Sequence, residues 1–159
     1  MLSHDTLSLA LFRPPIVLVV ESRTAARNAT CRLVRQLGYD GRMARDGLQA
    51  MRMLRQHPGL HHLVLSNVLL PDIDAGEFAR QIADQGAGTK VALIAEYAPI
   101  GKAADVVRAN SELPVLRRPF GFREIYEVLC PLIGPPRAAL PLARRPHPPA
   151  RRRHRINIR

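Results

Sequence analysis

Apolar residues along this chain come in two alternating arrangements. Short, largely apolar runs stand at Ile16–Val20, Leu63–Asn67, residues 90–95 and residues 113–116, with a weaker one at 39–44. Such runs suit strands buried on both faces of a sheet. Between them the apolar positions repeat at helical spacing, as in Ala25, Ala29, Leu33 and Leu37, followed by Gly38 as a stop. The same spacing predicts helices over 24–37, over 47–57 behind a capping Asp46, and over 76–85, 100–109 and 121–133. Five strands alternating with five helices predict an α/β fold, a doubly wound, five-stranded parallel sheet with right-handed crossovers. Residues 1–15 read as a leader closed by Pro14 and Pro15.

In such folds ligands sit beyond the carboxyl ends of the strands. Glu21, Ser22, Asn67, Ala95 and Arg118 all fall there. Asn67 ends the third run, just before a Pro-Asp-Ile-Asp loop that opens a helix. At that point the strand presents an amide. Asp72 and Asp74 in the loop suit turn and helix-cap chemistry.

Composition changes the picture at one end. The formal charge is +11 over 159 residues, and from Pro135 onward there are eight arginines and no acid. Six prolines between Pro135 and Pro149 forbid a continuous helix there, so residues 135–159 are expected to be extended and, alone, disordered. Some of the arginine excess is general bias, since the chain has 22 Arg against Lys90 and Lys102. Cys31 and Cys130 are too few for a disulfide framework and read as buried thiols. No run approaches a membrane span and no secretory leader is visible, so a cytoplasmic protein is expected.

The stretches VLVVES, LVLSNVLLPDIDAG and LRRPF stand at a spacing that resembles the CheY-like receiver domain of response regulators, over residues 16–134. That resemblance implies a site in which an acidic pair and an aspartate bind magnesium and the aspartate accepts a phosphoryl group. The corresponding positions hold Glu21, Ser22 and Asn67; the hydroxyl position holds Ala95, the switch aromatic Val115 and the lysine Arg118. An amide cannot attack phosphorus and is a poor magnesium ligand. The resemblance therefore implies a pseudo-receiver with no catalytic residue and no metal, unless Glu21, Asn67 and a backbone carbonyl retain a residual magnesium site. It also implies a cis bond at Arg118–Pro119, and a partner face made by residues 100–109, 113–116 and 122–132.

The arginine segment admits several readings: a solvated basic tail, nonspecific nucleic-acid contact, an anionic membrane surface, or a guanine-containing phosphodiester. The second lacks an aromatic to stack on bases, and the third lacks an amphipathic helix. Guanidinium forks suit both guanine edges and phosphates. A receiver with such an extension resembles the Cle group of CheY-like proteins, which bind cyclic di-GMP. Carried over, Arg144, Arg145, Arg151, Arg152, Arg153 and Arg155 become ligand contacts, with Arg137, His154 and Arg159 beside them. The expectation is a non-enzymatic adaptor that binds cyclic di-GMP, needs no cofactor and acts on a protein partner such as a flagellar motor switch component. The alternative is a pseudo-receiver interaction module whose tail holds polyanions nonspecifically.

Overall fold

A computed structural model describes residues 13–136. The strands are β1 (Ile16–Val20), β2 (Asp40–Ala44), β3 (Leu63–Asn67), β4 (Lys90–Glu96) and β5 (Val115–Arg118). The helices are α1 (Thr24–Gln36), α2 (Gly47–Gln56), α3 (Ala75–Asp84), α4 (Gly101–Ala109) and α5 (Phe122–Ile133). All pairings are parallel, in the order β2-β1-β3-β4-β5. This is the doubly wound sheet expected from the alternation.

Because side chains alternate across a strand, each buried run feeds two cores. Val17, Val19, Leu63, Leu65 and Ile94 point to one face, where Cys31 and Val34 of α1 and Ile125 and Leu129 of α5 cover them. Leu18, Val20 and Val64 point to the other, against α2 and against Phe78 and Ile82 of α3. Leu93 and Ala95 meet Ala103 and Val106 of α4.

Two helix starts are tied into the loop after β3. Asp46 accepts from Gln49 N at 2.7 Å, while both Asp72 oxygens accept from the first two amides of α2, Gly47 N at 3.0 Å and Leu48 N at 2.7 Å. Asp74 caps α3 through Gly76 N and Glu77 N. Orphan amides at helix starts need such acceptors. The capping role expected of these carboxylates is what the loop uses them for.

Some expectations shift. The last strand was expected at 113–116 and runs two residues later. Leu113 N closes a turn onto Asn110 O at 3.0 Å, and the ladder begins only where Pro114 O accepts from Leu93 N. The two arginines lie inside it because Arg118 pairs in register with Glu96. Cys31 is buried as expected, but Cys130 is only half-buried. The Arg118–Pro119 bond is cis. The expectations for residues 1–12 and 137–159 lie outside the described residues.

Candidate functional site

The carboxyl edge of the sheet gathers the residues singled out in the sequence. Glu21 leaves β1, Asn67 ends β3, Ala95 and Glu96 end β4, and Arg118 ends β5. With Ser22 and Arg23 they line a cavity of about 300 Å³. Ala103 and Leu69 complete its wall.

Glu21 is the centre of it. Its residue is fully buried, yet both carboxylate oxygens are engaged. Oε2 accepts from Asn67 Nδ2 at 2.5 Å and from Arg118 Nη2 at 3.1 Å. Oε1 accepts from the backbone N–H of Arg23 at 2.9 Å and from its Nε at 3.4 Å. The two ends of the Asn67 amide are distinguished by their partners, because Oδ1 accepts from Leu69 N at 2.9 Å. Arg118 is held in turn by Glu96 at 3.8 Å and lies 5.3 Å from the Phe120 ring centroid, within cation–π range.

Burial opposes ionisation of Glu21, but the hydrogen bonds from the Arg23 backbone, the Asn67 amide and the Arg23 side chain outweigh it. They hold the carboxyl below the usual glutamate range. The site is thus a buried anion closed by two guanidiniums, one amide and one peptide N–H.

Ser22 is exposed and makes no side-chain bond here among the described residues; its carbonyl accepts from Arg27 at 3.2 Å. Ala95 supplies only a methyl group. Arg23, Arg27 and Glu96 were missed in the sequence. Arg23 had one signal, its place two residues after the acid at the start of a helix. Glu96 becomes visible only through its register with Arg118.

At the opposite, amino edge of the sheet, Tyr39 sends its hydroxyl to Gly134 O at 2.9 Å, fixing the end of α5 beside the start of β2. Burial pushes the Tyr39 hydroxyl up to about 12. The arginine contacts expected at 137, 144, 145, 151, 152, 153, 155 and 159, with His154, lie outside the described residues.

The profile of the response regulator receiver domain matches residues 17–129. The chain belongs to that family. Among curated proteins, the receiver matches the sensor kinase CckA of Brucella abortus (strain 2308) at 25% identity over 109 residues, 69% of this chain. It spans only 11% of that relative's length. Among solved structures it resembles the signal receiver domain of an HD domain-containing protein from Pseudomonas fluorescens Pf-5, with TM-score 0.64 and 26% identity over 76% of this chain and 94% of that one. It also resembles the chemotaxis protein CheY4 of Vibrio cholerae, with TM-score 0.63 and 18% identity over 74% of this chain and 98% of that one. Receiver domains are signalling modules that work through protein partners. No helix among the described residues of this receiver is long and apolar enough to cross a membrane.

Proposed function

We propose that this receiver is a phosphorylation-independent adaptor whose arginine-rich C-terminal segment binds cyclic di-GMP and whose body then regulates a protein partner. The observation that carries the first half is the hydrogen bond from Asn67 to Glu21. Asn67 stands at the acceptor position with its amide nitrogen turned toward the acid, so it offers neither an anionic nucleophile nor a free carboxylate. The donor set does not suit magnesium. Glu21 already has a guanidinium against Oε2 and a peptide N–H on Oε1, and a divalent cation wants oxygens free of such partners.

Support for the second half comes from residue chemistry. Arg144, Arg145, Arg151, Arg152, Arg153 and Arg155 are spaced by prolines, and each guanidinium can fork onto a phosphate or a guanine edge. A partner face is available near α4 and α5. Most apolar residues there are core, but Tyr97 (76%), Ile100 (85%), Phe122 (48%) and Tyr126 (40%) are exposed. Large exposed apolar side chains in a group suit protein contact, and a flagellar motor switch component is the partner we favour.

Titration calorimetry with cyclic di-GMP tests the reading, using the full chain, a truncation after Pro136 and a GTP control. Saturable binding that the truncation loses supports it. Weak heat of equal size with GTP favours the alternative, a protein-interaction module with nonspecific polyanion contact. Incubation with acetyl phosphate and magnesium, read by intact mass, tests the pocket; a stable phosphoryl adduct overturns the phosphorylation-independent reading.

A further inference from the structure

Helices α2 and α3 cover the same face of the sheet, and a trough runs between them. Its first part, about 260 Å³, has Leu48, Met51, Arg55, Ile73 and Gln81 in its walls. A second depression of about 330 Å³ continues it past Asp84 and Gln85 and shares Met51, Arg55 and Gln81 with the first. The floor is apolar because of how the core closes here. Met51 is buried, and Ile73 packs against the same core cluster. Gly47 makes room for that packing, since a side chain there would collide with Ile73 Cγ2. Leu48 stands beside the floor and is 59% exposed.

Most polar groups along the trough are already committed. Both Asp72 oxygens accept from the amides that open α2. Gln81 Nε2 donates to Glu77 at 3.1 Å, and Glu77 is paired with Arg80 at 2.8 Å. Arg52 and Arg55 are different: both are exposed, and neither has a hydrogen-bond or ion-pair partner among the described residues. They share one ridge of α2 with Leu48, at steps of four and three residues. Asp84, at the far end, is exposed and likewise without a partner among the described residues. The uncommitted charge is therefore two guanidiniums against one carboxylate, and the guanidiniums stand next to the exposed leucine.

Shape and charge together select an occupant. Sites that enclose a small molecule usually hold about 300–1,000 Å³. The first part of the trough is smaller than that and opens into the second, which suits a length of chain better than a compact ligand. A nucleic acid would satisfy the guanidiniums, but it would leave the apolar floor uncovered and set phosphates near Asp84, where like charges repel. A protein segment with an apolar side chain and neighbouring acids meets every feature. The apolar group covers Leu48, Met51 and Ile73, and the carboxylates fork onto Arg52 and Arg55. We propose that the α2–α3 trough is a docking site for an acidic protein segment carrying an apolar anchor. The trough shares no residue with the acid pocket or with the exposed group near α4 and α5. It therefore leaves that face open to a second partner.

The test is two-dimensional proton–nitrogen NMR of the full chain, following the amides of Leu48, Arg55, Ile73 and Gln81. The probes are the peptide EDELFEDE, the peptide EDESSEDE of equal charge, and an oligothymidylate. We expect the first peptide to move these amides saturably, and the other two to bind there about fivefold more weakly or less, for want of an apolar anchor. Arg55→Glu is expected to weaken the first peptide about tenfold, the loss of one charge-assisted contact. Arg32→Glu, the same change on α1, is expected to alter it by less than about twofold. Leu48→Ser should erase the preference for EDELFEDE over EDESSEDE. All three substitutions fall on exposed side chains, and circular dichroism checks the fold of each variant. Trough amides that stay still, or that respond equally to both peptides, would overturn the proposal. So would an oligothymidylate that binds there as tightly as EDELFEDE, which would make the trough a general polyanion surface.

Discussion

At the scale of single residues, the Glu21 carboxylate is buried with both oxygens engaged. A buried charge that loses its partner is costly. Arg118→Ala leaves Glu21 with the Asn67 amide and Arg23 only, and is expected to lower unfolding free energy by about 3 kcal/mol, measurable by urea denaturation. Arg118→Lys is expected to retain part of the loss, because an ammonium keeps the charge without the fork. His61 gives a prediction in pH. Its ring is buried, Nδ1 has no partner among the described residues, and burial first, then Arg42, lowers its pKa. The unfolded chain therefore binds the extra proton between the folded value and about 6.5, so stability is lost as the pH drops through that window and levels off below it. In urea melts, His61→Leu should show a smaller stability difference between pH 7.5 and 5.5 than the unaltered protein. Sequence was informative about which residue stands at position 67. It was silent on the pairing, because nothing in a chain separation of 46 residues tells which end of an amide will face Glu21.

Among the elements, α2 is latched to the loop after β3. Asp72 reaches across to cap a helix that Asp46 already starts, so three first-turn amides are satisfied by two carboxylates. Gly47 is needed where they meet, since a Cβ there would stand 2.3 Å from Ile73 Cγ2. Asp72→Ala is expected to cost about 1–2 kcal/mol, read as a lowered denaturation midpoint with an unchanged slope. The element order was readable because β1, β3 and β4 are largely apolar runs and the helices between them carry a 3.6-residue repeat. The last strand was misplaced for the converse reason. Its arginines break the apolar pattern, and what tolerates them, Glu96 and Glu21, comes from other parts of the chain. Capping by Asp74 followed from local spacing alone, whereas the reach of Asp72 to α2 did not.

Across the whole molecule, the acid pocket and the exit of the C-terminal segment lie at opposite edges of the sheet, separated by a strand length of about 16 Å. Hydrogen exchange with cyclic di-GMP bound is expected to leave Leu69 N–H, whose acceptor is Asn67, at its unliganded rate. One further consequence follows from Arg118. Its guanidinium supplies the pocket's cation as a permanent part of the chain, so on the proposed reading there is no adduct to form and none to decay. Such a protein keeps no clock of its own. The persistence of its signal would be set by how long a messenger stays bound, and the cell would end the message by destroying the messenger.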